Sequence, residues 1–304
     1  MIHSSVGRVC CIDTLVAGMR EFLSCFVVDD EHALLSDPGP PCIAEEVLKS
    51  VYDLGLADRI EYIAISHVHV DHAGATYILA KELDARILAH PKAIRHLVNP
   101  EKLWKSSLDA LGEVADIYGK PEPIEESRMI PVEDNQVIDL GNESVRAIYT
   151  PGHTVHHVSY FLEKSKILLS GESIAMFLKG KPILTSPIPP MGVEDVMNTF
   201  RRIEQLTPST IAFCHFGFSS PDGLLEKVRK KTEKWFETAK EVVKLDRENQ
   251  DLIEEFSRRL IERDEDYRAL VEYYKNDYKE SLIFSYPYRT VLGGILAIAK
   301  GRQI

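Results

Sequence analysis

Three histidines and one aspartate crowd into Ser66-His67-Val68-His69-Val70-Asp71-His72, between an apolar run at residues 62–65 and a helical stretch that begins at Ala73. The apolar run reads as a strand that ends where the polar cluster begins. At a strand's end residues two apart face the same way, so His67 and His69 can present two imidazoles to one point. Asp71 and His72 follow at the turn into the helix and can aim at a second point nearby. Imidazole and carboxylate suit zinc, iron or manganese, so the segment reads as half of a two-metal site that must be completed from elsewhere in the chain.

The sequence offers the completing residues in order. Tyr149-Thr150-Pro151-Gly152-His153-Thr154 places a histidine on a tight turn after a strand. Leu169-Ser170-Gly171-Glu172 places a carboxylate on a turn after the next strand but one, and Ala212-Phe213-Cys214-His215-Phe216-Gly217 places a histidine after an apolar run. Alone, each would be a solvated turn residue; together they supply a full set of seven donors at strand ends: His67, His69, Asp71, His72, His153, Glu172 and His215. Cys214 precedes one of them, and strand alternation predicts that its side chain faces the core, away from the site. His156 and His157 read as structural or supporting residues, with His157 entering the next strand; His3, His32, His90 and His96 have no partners in sequence.

The rest of the chain reads as an α/β layer protein followed by helices. Strands are expected at residues 26–28, 33–35, 62–65, 145–149, 157–162 and 167–169, and helices at 44–54, 73–83 and 193–205. Residues 1–222 carry 19 basic and 31 acidic side chains and residues 223–304 carry 17 and 16, so the net charge of −11 belongs to the first part. That shift, at Ser219-Ser220-Pro221-Asp222-Gly223, marks a boundary between a first domain, 1–222, which carries all seven donors, and a helical extension, 223–304. The acidic excess argues against a nucleic-acid partner, because neutralising phosphates requires clustered Lys and Arg. The late apolar stretch at residues 291–299 is about half of the roughly 20 residues needed to span a bilayer, so no membrane partner is expected. Residues 1–8 lack the basic end and apolar run of a signal peptide, and five cysteines without a C-x-x-C pair read as reduced thiols, which together predict a cytoplasmic protein. Asn and Gln number only ten, which fits a chain adapted to heat.

The combination His67-x-His69-x-Asp71-His72, Gly152-His153-Thr154, an acidic residue 19 positions later and a late His215 resembles the metallo-β-lactamase superfamily over about residues 10–220. The resemblance implies a four-layer αβ/βα sandwich with a dinuclear site at the edges of two central sheets. It implies two divalent ions, zinc first, with iron or manganese as alternatives. His67, His69 and His153 would hold one ion, Asp71, His72 and His215 the other, and the acidic residue would bridge. The bridging position usually holds aspartate, and here it is Glu172. Leu35-Ser36-Asp37-Pro38-Gly39 matches the family's early strand-to-turn aspartate, which implies that Asp37 supports the histidine loop by hydrogen bonds.

Within the family, nucleases carry long insertions between the two positions occupied here by His153 and Glu172, true β-lactamases usually lack an acidic bridge, and flavodiiron oxidoreductases add a flavodoxin domain. What remains resembles glyoxalase II and lactonases: a hydrolase in which a water shared by two ions attacks the carbonyl of a small thioester, ester or lactone, with Asp71 orienting it and passing its proton on. The alternatives are a mononuclear-iron oxidoreductase similar to persulfide dioxygenases and a non-catalytic metal-binding protein. Residues 101–118 read as one amphipathic helix, either a lid over the metals or a packed surface helix. The extension, with Tyr273-Tyr274-Lys275 and Tyr278-Lys279, reads as a substrate cap or a homodimer surface.

Overall fold

The computed structural model describes residues 1–301 apart from 186, 189, 246, 247 and 277, and in the last helix the side chains of 278–281, 286 and 287 lie outside the description. Two central sheets face each other. The first holds seven strands in sequence order: β1 (Ile2–Val6), β2 (Val9–Asp13), β3 (Ser24–Val28), β4 (Ala33–Ser36), β5 (Ile60–Ala64), β6 (Arg86–Ala89) and β7 (Met129–Pro131). The second is built from β8 (Val137–Asp139), β9 (Ser144–Tyr149), β10 (Val158–Leu162), β11 (Ile167–Gly171), β14 (Thr210–Phe213) and β15 (Phe218–Ser219), in the order β15-β14-β11-β10-β9-β8. A separate hairpin joins β12 (Met176–Leu178) and β13 (Lys181–Ile183). Strands β4 to β7 run parallel, as do β11 and β14. All the predicted strands form, with ends displaced by a residue or two.

Strands buried on both faces read as apolar runs, and alternation decides which face each residue serves. Phe26, Val28, Leu34 and Ala64 of the first sheet meet Ala147, Val158, Tyr160, Leu169 and Ala212 of the second in a core between the sheets. Their neighbours Val27, Leu35, Ile63, Phe161 and Ile211 point outward into a second core that covers the helices. Those helices are α1 (Ala44–Asp53), α2 (Val70–Ala73), α3 (Thr76–Glu82), α4 (Pro91–Val98), α5 (Glu101–Leu111), α6 (Glu113–Tyr118) and α7 (Val193–Leu206). The result is the expected four-layer αβ/βα sandwich. Two helices differ from the sequence reading. The stretch from Ala73 is divided at Gly74-Ala75 into α2 and α3, and residues 101–118 are divided at Gly112, whose φ of +53° no helix accommodates.

After β15 the chain is helical: α8 (Leu224–Val242), α9 (Asn249–Arg263), α10 (Glu265–Tyr274) and α11 (Tyr278–Ala299). Val228, Trp235, Ala239, Phe256, Leu260, Tyr267 and Leu270 are buried, as their helical spacing predicts. Helix α8 packs against α7, α10 against β13, and α11 against α8, α9, α5 and α6, so the extension shares the outer core with the sandwich. Lys231 is anchored inside it, donating to Asp264 Oδ1 at 2.8 Å and Asp266 Oδ2 at 2.9 Å, while Trp235 Nε1 donates to Asp264 Oδ2 at 2.7 Å. The apolar stretch near the end is longer than the sequence reading allowed: Leu282–Ala299, with a mean hydropathy of 1.4, is long and apolar enough to cross a membrane. In the structure 44% of that window is buried against the rest of the chain. Tyr273 is exposed beneath Lys179 and Tyr274 is buried, whereas the side chains of Tyr278 and Lys279 lie outside the described residues.

Candidate metal centre

All seven predicted donors reach one edge of the sandwich, because the strands that precede them end there. The loop after β5 brings His67 and His69, and α2 brings Asp71 and His72. The turn between β9 and β10 brings His153, the end of β11 brings Glu172, and the turn after β14 brings His215.

The first group is tight. His69 Nδ1 lies 2.9 Å from His67 Nε2 and 3.1 Å from His153 Nε2. Glu172 Oε2 lies 3.0 Å from His153 Nε2 and 3.4 Å from His67 Nε2. Donors about 2.0–2.1 Å from a tetrahedral ion stand roughly 3.3 Å apart, so the spacing fits a zinc-sized cation. Asp71 organises the second group, its Oδ2 lying 3.6 Å from His72 Nε2 and 3.5 Å from His215 Nε2. Glu172 lies between the groups but leans to the first, with Oε2 3.6 Å from His72 Nε2 and Oε1 4.0 Å from His215 Nε2.

The chemistry of the donors fits a metal. His72 is fully buried, and neither of its ring nitrogens is within hydrogen-bond distance of a partner; a cation on the side of Asp71 and Glu172 would take up the Nε2 lone pair, while Nδ1 faces Asp37. His215 donates from Nδ1 to the Phe22 carbonyl at 3.0 Å, which leaves the Nε2 lone pair aimed inward. The His67 tautomer that donates from Nδ1 to Ser66 Oγ, at 3.0 Å, does the same. Burial, with the neighbouring imidazoles, holds His67 well below its usual pKa and His69 down to about 4, so both are neutral and able to ligate at pH 7. Burial works to raise the carboxyls, but His72 and His215 pull Asp71 down to about 2, and His153, His67 and His72 hold Glu172 well below the usual carboxylate range.

A supporting shell fixes these groups. Asp37, in the left-handed region at φ +45°, accepts from the Ser66 amide at 2.8 Å, and its Oδ2 lies 3.8 Å from His72 Nδ1. His157 stands just before β10, outside the strand it was expected to enter. Its Nε2 accepts from the Glu172 amide at 3.0 Å, so Nδ1 carries the proton and donates to Thr150 Oγ1 at 2.8 Å. Ser159 Oγ, 2.9 Å from Thr150 Oγ1, ties this chain to the Ser170 carbonyl. Gly171 makes room for the arrangement: its φ is +54°, and a Cβ there would stand 2.6 Å from Ser66 Cβ and 2.7 Å from His157 Nε2.

One expectation is overturned. Cys214 does not face away from the site: its sulfur and one ring nitrogen each of His72 and His215 lie within 4.8 Å of one another. Strand β14 ends at Phe213, so the period-two alternation no longer governs Cys214 and His215. Burial pushes the Cys214 thiol up to about 12. Among the described residues no disulfide joins the five cysteines. Tyr118, at the end of α6, was also not singled out by its sequence. It is fully buried, and burial together with the charges of Asp71 and Glu172 keeps its hydroxyl protonated.

Comparisons with known proteins agree with this geometry. The profile of the Metallo-beta-lactamase superfamily matches residues 20–215. A metallo-beta-lactamase fold-containing protein of Sulfurisphaera tokodaii is 31% identical over 192 residues, covering 62% of this chain and 72% of that protein. A hydroxyacylglutathione hydrolase of Mesorhizobium japonicum is 30% identical over 152 residues, covering 50% of this chain and 46% of that enzyme. Among solved structures, an archaeal metallo-beta-lactamase superfamily protein from Sulfolobus tokodaii superposes with a TM-score of 0.65 at 27% identity, covering 75% of this chain and 86% of its own. With more than half of its length matched, a sandwich of the right layers and seven converging donors, the chain belongs to the metallo-β-lactamase superfamily.

Proposed function

We propose that the protein is a metal-dependent hydrolase that directs water onto the carbonyl carbon of a small thioester, ester or lactone and cleaves its acyl–sulfur or acyl–oxygen bond. The observation that carries this reading is the convergence of two donor groups on adjacent points, with Glu172 between them and Asp71 the partly exposed member of the second. Its side chain is 21% exposed, whereas those of His72, His153, His215 and Glu172 are at most 9% exposed. Two divalent ions held there would supply a Lewis acid for a carbonyl oxygen and the means to ionise water near neutral pH. His67, His69, His153 and Glu172 would hold one, and Asp71, His72 and His215 the other.

The chain's own groups then have separate tasks. Asp71, ionised at neutral pH and partly exposed, would orient the attacking water through a carboxylate oxygen and help pass its proton to the leaving group. His157 and Thr150 fix the backbone of Glu172, and Asp37 fixes the histidine loop through Ser66. The helical extension would cap the substrate, a reading supported by the contacts of α11 with α5 and α6 and of both with α2, which carries Asp71. The hydrolase name of the Mesorhizobium relative supports an acyl substrate on a thiol carrier.

The test is a panel of thioester, ester, lactone, phosphodiester and persulfide substrates offered to metal-free and zinc-loaded protein. Zinc-dependent turnover of a carbonyl ester or thioester is expected. Oxygen consumption with a persulfide by iron-loaded protein, and no hydrolysis of any substrate, would replace this reading with an oxidoreductase.

A further inference from the structure

We propose that Cys214 supplies a sulfur donor to the second ion position, so that the two positions are held by unlike sets of four: His67, His69, His153 and Glu172 on one side, and Asp71, His72, Cys214 and His215 on the other. The proposal rests on reading the cluster as a metal centre, and not on which bond the enzyme cleaves.

Three observations point to it. Glu172 sits with the first set, its Oε2 3.0 Å and 3.4 Å from His153 and His67 but 3.6 Å from His72, which leaves the second position short of a close bridging oxygen. The Cys214 sulfur fills that shortage, being grouped with ring nitrogens of His72 and His215 within 4.8 Å. His72 itself, fully buried, has no hydrogen-bond partner on either ring nitrogen and is the side chain that most requires a cation beside it.

A thiolate in the second set makes that position softer than the first and favours zinc or cobalt there over manganese. The substitution of glutamate for the family's usual bridging aspartate and the inward-facing cysteine are then two parts of one arrangement. The longer carboxylate goes to the first ion and the sulfur takes its place at the second.

The experiment is the absorption spectrum of full-length metal-free protein titrated with cobalt(II). Wild type and the control Cys10→Ser should each bind two ions and develop a sulfur-to-cobalt charge-transfer band in the near ultraviolet. Cys214→Ser should lose that band, keep the visible cobalt bands of the first position, and bind the second ion at least 10–100-fold more weakly. Wild type that binds two ions without the band overturns the proposal and leaves the metal centre standing, and it does so even if the Cys214 variant fails to fold. A band that persists in Cys214→Ser overturns it equally. Binding of fewer than two ions by wild type refutes the two-position reading itself and this proposal with it.

Discussion

Replacing Gly171 by alanine should damage both the fold and the site. The residue closes β11 at φ +54°, where an L side chain costs about 1–2 kcal/mol. The added Cβ would meet Ser66 Cβ at 2.6 Å and His157 at 2.7 Å (Nε2) and 2.9 Å (Cε1), none of them the end of a flexible chain. Overpacking of this kind costs a further 1–3 kcal/mol or so. The sum, about 2–5 kcal/mol, is a large share of a total stability of roughly 5–15 kcal/mol. The displaced groups also matter to the metals: Ser66 is bonded to His67 and Asp37, and His157 accepts from the Glu172 amide. Urea unfolding of metal-free Gly171→Ala should show a midpoint lower by roughly 1 M, taking a slope near 3 kcal/mol per molar. Zinc titration by calorimetry should show affinity reduced about 10–100-fold. A variant with unchanged midpoint and unchanged zinc affinity would refute the idea that Gly171 holds open the space in which the donors assemble.

Asp71→Asn should fold and lose turnover by at least about 100-fold, since its amide can neither take up nor return the proton; kinetics of the zinc-loaded variant beside its melting curve check this. Metal-free protein should lose stability as the pH falls from about 6.5 toward 4. Burial, with the neighbouring imidazoles, depresses His69 to about 4 and His156 to about 3, so below the unfolded value of about 6.5 the unfolded chain binds protons that the folded one refuses; a higher melting temperature at pH 5 than at pH 7.5 would contradict this. In the extension, Lys231→Met should destabilise the protein by about 3–5 kcal/mol, because it strands the buried Asp264, and adding Asp264→Asn should recover part of the loss in the same unfolding assay.

How much was legible in the sequence depended on whether local rules still held at each residue. The donors stood out because a strand's end, a Pro-Gly turn and a helix start are each set by neighbours in sequence. The two cores were equally legible, since alternation assigns Phe26 and Val28 to one face and Val27 to the other. Cys214 was misread because alternation was carried one residue past the end of β14. Residues 101–118 read as one helix because their apolar positions keep a helical period on both sides of Gly112, whereas the positive φ of that glycine turns the chain there. The late apolar stretch is longer than residues 291–299 because it continues back through Ile283, Phe284 and Tyr288, which pack inside although polar residues stand between them. The leaning of Glu172 toward the first group depends on where His157 holds the β11 turn, which no sequence spacing reveals.

The most direct test of the account is the metal content of protein purified without added metal, measured with its hydrolytic activity before and after chelation. The account predicts two divalent ions per chain, loss of hydrolysis when they are removed, and recovery when zinc is returned. Full hydrolysis by metal-free protein, or a chain that binds no divalent ion, would contradict it.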